Sequence, residues 1–430
     1  EVSGHYQGFG GASPINARNA ELRDALQARL AERGSTLPVV VGNRNWHPFV
    51  SQALRELADT GARHVLALPT AAFGSYSGCR QYREDLAGAA ALLAAGADGS
   101  TGDGFEADAA ARVGGEGGAP VDLTVDKTRP YYNTPGLLEA NVDAIVEAYG
   151  TLAEQGVAAA DVRLVLVTHS IPLGMEAGSA PTPESDGASD SAGAGQPAGR
   201  PAGPREPGVA ADLSTEVSYV AQHRALAAVL VPEVARRLGL EEVESDLVYC
   251  SRSGPPQARW LEPDVNDHLE ALAAGQLTDG SPADRPGGVV VAPFGFISDH
   301  MEVVFDLDTE AAQTARDLGM PYARAATVGT HPAFVDSLVD ILIERAAVAR
   351  GEDVHPASTT GVGPFHTVCP PSCCRPGTHH PGRHSRHGAD GAAHESAAGH
   401  QPAADGSCRP ASAEPESLKP ASCGRMKEKR

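Results

Sequence analysis

Short, unbroken runs of large apolar residues, each set between stretches of helical spacing, narrow what this chain can fold into more than any other feature. Residues 37–41 (LPVVV), 64–68 (HVLAL), 163–168 (RLVLVT), 246–249 and 288–292 (GVVVA) are such runs or are dominated by them, and 323–328 (ARAATV) reads as a further strand in the same alternation. Runs this short, without polar alternation, are strands covered on both faces. The segments between them, 16–33, 48–60, 78–97, 134–155, 216–238, 263–274, 299–318 and 332–349, read as helices. Regular alternation of the two predicts an α/β protein with doubly wound parallel sheets, and argues against helical repeats and all-β folds. Such folds place ligands at the carboxyl ends of their strands.

Three stretches break the pattern. Residues 99–120, 173–213 and the tail after about 354 are rich in Gly, Ala, Ser, Pro and Asp, with too few large apolar side chains to offset the entropy of ordering. They are expected to be disordered insertions and a disordered tail. The rest divides into two halves, 1–160 and 161–330, with a closing helix at 331–350 and a tail at 354–430. Charge limits the partners: 34 basic against 55 acidic side chains give −21, which argues against a nucleic-acid polyanion. The longest apolar run, 86–97, falls short of the roughly 20 residues a membrane span needs, and no signal peptide is visible. Cys79 and Cys250 stand alone and read as small buried hydrophobes, while the other five cysteines crowd into the tail. That is no secreted disulfide framework, so a reducing, cytoplasmic setting is expected. Neither GxGxxG after a strand nor GxxxxGK[ST] occurs, which removes the main support for dinucleotide and P-loop readings.

Two strand ends carry chemistry. Thr168-His169-Ser170-Ile171-Pro172 follows RLVLV, and Phe294-Gly295-Phe296-Ile297-Ser298-Asp299-His300-Met301-Glu302 follows GVVVA. A histidine at the first position is either a satisfied buried imidazole or a functional group. On the helix after the second, Glu302, Asp306 and Glu310 recur at i, i+4 and i+8 and share one face, drifting about 40° per step. Either they form a solvated acidic face, or they line a path for a divalent cation whose charge relieves their repulsion. Imidazole on one strand end and carboxylate on another suits Fe²⁺ and its neighbours.

These residues belong to a longer series. His5-Tyr6, Phe9 to Asn16 (FGGASPIN), Gly42-Asn43-Arg44-Asn45-Trp46, Ser75-Tyr76-Ser77 with Gln81-Tyr82, the HSIP block, Ser251 to Gln257 (SRSGPPQ) with Trp260 to Asp264 (WLEPD), and Phe296 to Glu302 follow one another in order. In this series the chain resembles the ferrochelatases, most closely the coproporphyrin ferrochelatases of actinobacterial type, from residue 1 to about 350. The resemblance implies two flavodoxin-like halves of the class II chelatase type around a porphyrin cleft, and insertion of Fe²⁺ into coproporphyrin III. It implies that His169 is the active-site histidine and Glu302 its partner carboxylate on the opposite face of the macrocycle, both serving catalysis and the metal. Asp306 and Glu310 match the inner metal path, and Ser13 and Tyr82 match porphyrin contacts. Arg44 is a further candidate partner for porphyrin carboxylates on charge alone. Implied partners are the porphyrin, Fe²⁺ and a coproheme decarboxylase receiving the product from a monomeric enzyme, with no nucleic acid.

Some family members also hold a [2Fe–2S] cluster on C-terminal cysteines plus one from the loop after HSIP. Cys369, Cys373 and Cys374 are candidate ligands; the loop here contains no cysteine, so the fourth would come from Cys408, Cys423 or Cys250. Family members begin with a further strand and a Gly-Pro turn, so an upstream segment is expected to be missing. The alternatives to a coproporphyrin enzyme are a protoporphyrin ferrochelatase and a catalytically silent porphyrin- or heme-binding protein.

Overall fold

The computed structural model describes residues 13–96, 119–179, 218–252 and 257–376. Helices α1 (Ile15–Glu32) and α2 (Val50–Asp59) precede strand β1 (His64–Ala67). A π-helical turn, Tyr76–Arg80, then runs directly into α3 (Gln81–Ala94). Strand β2 (Thr124–Lys127) pairs in parallel with β1, His64 opposite Thr124, to form a two-stranded sheet. After α4 (Pro135–Glu154) the chain enters β3 (Val162–His169), the second strand of a four-stranded parallel sheet. Its neighbours are β4 (Ser245–Cys250), β5 (Gly288–Ala292) and β6 (Tyr322–Arg324), in the order β4–β3–β5–β6.

The apolar run of β3 explains its central place. Leu164 and Leu166 face one core, built with α4, α6 (Tyr219–Leu238) and α10 (Pro332–Ala349). Val165 and Val167 face another, where they meet Val289, Val291 and the apolar side of α7 (Val265–Ala273). All four β3 side chains are almost completely buried, together worth on the order of 10 kcal/mol of transfer free energy. Helix packing is close enough to dictate sequence. A Cβ on Gly136 of α4 would lie 1.8 Å from the Ala333 carbonyl of α10, so only glycine fits. The Gly136 N–H donates to the Ser337 hydroxyl (2.8 Å).

Four expectations change. Residues 37–41 form no strand: no described strand runs alongside them, Leu37 is 72% exposed, and the Val39 N–H is taken by Gln27 (2.8 Å). Strand β2 was not anticipated because three of the four residues in its TVDK sequence are polar, Asp126 being paired with Arg345 (2.5 Å). The helix expected at 299–318 is three pieces: α8 (Met301–Val303), a π-helical stretch Val304–Ala311, and α9 (Ala312–Asp317). Finally, neither flanking segment is wholly without structure. Residues Leu173–Gly178 form helix α5, and the Ser179 hydroxyl accepts the Tyr219 N–H (2.8 Å), so the long insertion leaves and returns at one point. Residues 354–376, expected to belong to the disordered tail, are instead folded onto the rest of the chain. Buried Arg129 donates to the Ala357 carbonyl (3.0 Å), Asn133 donates to the Gly363 carbonyl (2.7 Å), and Phe365, Cys373 and Cys374 are buried. Residues 99–118, 180–213 and 377–430 of the expected insertions and tail lie outside the described residues.

Candidate active site

Strand β3 ends on His169, and the chain beyond it is pinned. The Ser170 N–H donates to the Cys250 carbonyl of β4 (2.8 Å), and the Ser170 hydroxyl donates to the Leu261 carbonyl (2.9 Å). Leu261 N–H to Ile171 carbonyl (3.0 Å) and Leu173 N–H to Arg259 carbonyl (2.8 Å) complete a short two-stranded clasp. The His169 Nδ1 lies 2.5 Å from the Ser170 carbonyl. A carbonyl only accepts, so Nδ1 carries a proton in either charge state, and Nε2 presents a lone pair in the neutral imidazole and an N–H in the charged one.

Nε2 faces Glu302. Nε2 and the Glu302 Oε2 are 3.5 Å apart, with the side chains 28% and 43% exposed. The loop after β5 brings Glu302 there: Phe294, Phe296 and Ile297 bury themselves beneath it, and the Phe296 ring centre lies 6.4 Å from that of His169. Burial works against the charged imidazole, but the Glu302 carboxylate, the Ser170 carbonyl and Asp306 outweigh it, so the His169 pKa stands above its ordinary value. The contact with His169 holds Glu302 below the usual carboxylate range, against the effect of burial. His300 joins them, its Nδ1 3.8 Å from the same Glu302 oxygen. Burial lowers its pKa, and the neighbouring His169 adds to this while Glu302 opposes it.

The separation corrects one expectation. Two groups on opposite faces of a flat macrocycle need about 7 Å between them, two van der Waals contacts of about 3.5 Å each. At 3.5 Å, His169 and Glu302 lie on one side of any such ring.

Asp306 and Glu310 continue outward from Glu302. The π-helical turns that carry Asp306 and Glu310 rotate less per residue than an α-helix, which counters the forward drift that an α-helix would give an i, i+4 series. Asp306 accepts a hydrogen bond from the Ser251 hydroxyl, and Ser251 stands in the left-handed region at φ 59°. Burial, then the like charges of Glu302 and Glu310, push the Asp306 pKa up to about 6 although Ser251 pulls it down. Glu310 is exposed. A carboxyl group whose pKa is raised by burial and like charge is one whose ionised form an arriving cation would favour. Sequence reasoning missed Ser251 and His300 as members of this row, though both lie inside the quoted motifs.

The ferrochelatase family model matches residues 1–346. The chain belongs to the ferrochelatase family. It is 40% identical over 379 residues to the coproporphyrin III ferrochelatase of Streptomyces coelicolor, covering 87% of this chain and 83% of that protein. The coproporphyrin III ferrochelatase of Leifsonia xyli is 37% identical over 380 residues, covering 87% and 81%. A protein named ferrochelatase from Rhodopirellula baltica is 36% identical over 374 residues, covering 87% and 83%. Among solved structures, SirB from Bacillus subtilis matches with a TM-score of 0.41 and 13% identity over 78% of this chain and 91% of SirB, a likeness that carries no argument.

In this ferrochelatase the other expected site residues fall as follows. Tyr82 lies on α3 with the Arg44 guanidinium 5.1 Å above its ring, and Arg44 is paired with Asp85 of the same helix (2.6 Å). Arg44 and Tyr82 are therefore one cation–π unit, with part of the Arg44 charge already answered by a carboxylate. The Ser13 hydroxyl accepts the Ile15 N–H (3.3 Å) at the start of α1.

A second centre gathers cysteines. Cys79, Cys369, Cys373 and Cys374 are free thiols, each in contact with two of the others, and the Cys373 and Cys374 sulfurs are 3.5 Å apart. Cys79 is thus more than a buried hydrophobe. Hydrogen bonds from Cys369 and Cys374, with the Lys127 ammonium 3.2 Å away, push its thiol well down toward thiolate against burial. His366 Nε2 stands 3.3 Å from the Cys373 sulfur. Cys374 is strained into the left-handed region at φ 51°, and Arg80 anchors the loop by donating to the Pro371 carbonyl (3.0 Å). Cys250 packs in the other core, and Cys408 and Cys423 lie outside the described residues.

Among the described residues no helix is long and apolar enough to cross a membrane.

Proposed function

We propose that this ferrochelatase inserts Fe²⁺ into coproporphyrin III, giving Fe-coproporphyrin III and two protons. The observation that carries the reading is the pairing of the His169 Nε2 with the Glu302 carboxylate at 3.5 Å. That is long for a hydrogen bond. It suits two donors sharing one ion: with bonds of about 2.1 Å to each, they would subtend roughly 113° at the metal. The imidazole supplies a neutral ligand that displaces water from the ion, and the row Glu310–Asp306–Glu302 supplies charge along its route. Because the pair sits on one side of the ring, the porphyrin lies flat against it, and the group that the ion leaves first as it passes into the ring is placed to accept a pyrrole proton. The choice of coproporphyrin III draws on the names of the Streptomyces and Leifsonia relatives. On this reading the product passes to a coproheme decarboxylase.

Anaerobic initial rates with Fe²⁺ and an equimolar mixture of coproporphyrin III and protoporphyrin IX test the proposal. The tetracarboxylate is expected to be metalated at least about tenfold faster, equivalent to about 1.4 kcal/mol. Equal rates, or preference for the dicarboxylate, would contradict the substrate assignment while leaving the chelatase reading intact.

We further infer that the four thiols hold a [2Fe–2S] cluster, with Cys79 as the fourth ligand beside Cys369, Cys373 and Cys374. The donor set fits, since four cysteines are the usual complement and the four thiols lie in mutual contact. When bound, such a cluster supplies one-electron redox chemistry. Protein isolated anaerobically is expected to carry about two irons and two acid-labile sulfides per chain, and Cys79→Ser to lose most of both with its visible absorbance. Bound zinc without sulfide would refute the cluster.

A further inference from the structure

Behind His169 runs a buried chain of polar groups that metal insertion as described above does not use. The Thr168 hydroxyl lies 2.8 Å from the Tyr219 hydroxyl and 2.8 Å from the His223 Nε2. The Tyr219 hydroxyl in turn lies 3.0 Å from the His169 backbone carbonyl, and the His223 Nδ1 lies 2.7 Å from the Tyr219 carbonyl. Thr168 and His223 have no exposed surface and Tyr219 is 6% exposed. The His223 ring stacks on Phe73 (3.6 Å between centres, 9° between planes), with Phe294 edge-on at 5.4 Å.

The surrounding chain makes room for the Thr168 hydroxyl. A Cβ on Gly295 would stand 2.1 Å from the Thr168 Oγ1, so the loop that delivers Glu302 passes the hydroxyl only because residue 295 is glycine. Tyr219 and His223 are four apart on α6, so both reach the end of β3 from one helix face.

The protons can be counted. The Nδ1 of His223 must donate to the Tyr219 carbonyl, leaving Nε2 to accept the Thr168 hydrogen. Burial pushes the His223 pKa down to about 3, which keeps this neutral form at working pH. Tyr219 has one hydrogen for two acceptors, the Thr168 oxygen and the His169 carbonyl, and shares it between them. Three polar side chains in an apolar core stabilise less than well-packed hydrocarbon of the same volume would. Their common endpoint is the His169 carbonyl, which lies on the β5 side of β3 beyond the end of the β3–β5 ladder (Leu166 opposite Ala292, then the Gly295 N–H on the Val167 carbonyl), so that the Tyr219 hydroxyl supplies a donor past the last strand pair.

We propose that Tyr219, held by Thr168 and His223, is a positioning residue for metal insertion: its hydroxyl fixes the His169 peptide and so aims Nε2 at Glu302 and the incoming ion. The inference rests on the assignment of His169 to the metal.

Tyr219→Phe, Thr168→Val, Thr168→Ser and His169→Ala, assayed side by side with Fe²⁺ and coproporphyrin III varied separately, test it. Tyr219→Phe and Thr168→Val are each expected to lower kcat/KM for Fe²⁺ by about tenfold, the size of one lost buried hydrogen bond. Porphyrin affinity, read by quenching of porphyrin fluorescence, is expected to stay within about twofold, and Thr168→Ser to recover most of the loss. Fe²⁺ kinetics in Tyr219→Phe within twofold of wild type would overturn the proposal. So would equal losses toward both substrates, which mark a general loosening of the fold. Should Tyr219→Phe fail to fold, indistinguishable Fe²⁺ kinetics for the Val and Ser variants at 168 would overturn it instead. Wild-type turnover in His169→Ala would remove the metal assignment and the positioning role together, whereas an inactive His169→Ala beside an unaffected Tyr219→Phe would remove the positioning role alone.

Discussion

With His169 replaced by alanine, the rate of Fe²⁺ insertion is expected to fall at least about 10³-fold, within the range seen when a group that touches the reacting atoms is removed. The side chain gives the site its neutral nitrogen donor, with Nδ1 tied to the Ser170 carbonyl and Nε2 turned to Glu302. Alanine strips the ion of that donor and leaves Glu302 without its partner. The fold itself loses little. The imidazole is 28% exposed, and removing its bond to one carbonyl costs about 1 kcal/mol. Anaerobic rates, set beside thermal melting of the same preparations, check the prediction. A folded variant that still inserts iron would contradict the role given to His169.

The second large effect concerns acid. His223 has a pKa of about 3 in the folded chain against an ordinary value of 6.5, because burial disfavours the imidazolium. The unfolded chain therefore binds a proton below about pH 6.5 that the folded chain refuses until about pH 3. By linkage, its burial costs no stability above pH 6.5, and stability falls as pH drops through that window, by about 1.4 kcal/mol per unit. Between pH 7.5 and 4.5 the loss through this group alone is about 3 kcal/mol. Urea melts at the two pH values, compared between wild type and His223→Gln, isolate it: the variant is expected to lose about 3 kcal/mol less on acidification. Equal losses would show that His223 is not held neutral.

Much of this was legible because the physics was local. Strands β3 and β5 announce themselves because both their faces are buried, so Leu164 to Val167 of β3 and the whole of β5 had to be apolar. The HSIP block and Glu302 were legible for the same reason: each follows such a strand directly, where doubly wound sheets put their chemistry. What escaped reading depends on partners distant in sequence. Strand β2 is polar because Asp126 answers Arg345, and 37–41 is apolar yet lacks a described neighbour to pair with. Cys79 looked isolated because its partners, Cys369 and Cys374, arrive from the far end of the chain, in a segment whose Gly and Pro content read as disorder. Tyr219 and His223 had a weak signal, two polar aromatics at i, i+4 on a helix, but nothing in the sequence linked that face to Thr168. The π-helical turns under Asp306 left no trace in spacing, since i, i+4 carboxylates fit either helix.

The central claim is that His169 and Glu302 share the substrate ion from one side of the porphyrin. Anomalous diffraction from crystals of the protein soaked in Co²⁺, used as a stable stand-in for Fe²⁺, tests it most directly. Apart from any metal at the cysteine centre, the expected result is one strong peak about 2.0–2.2 Å from both the His169 Nε2 and a Glu302 carboxylate oxygen. A metal bound elsewhere, with the imidazole and carboxylate still in their 3.5 Å contact, would contradict it.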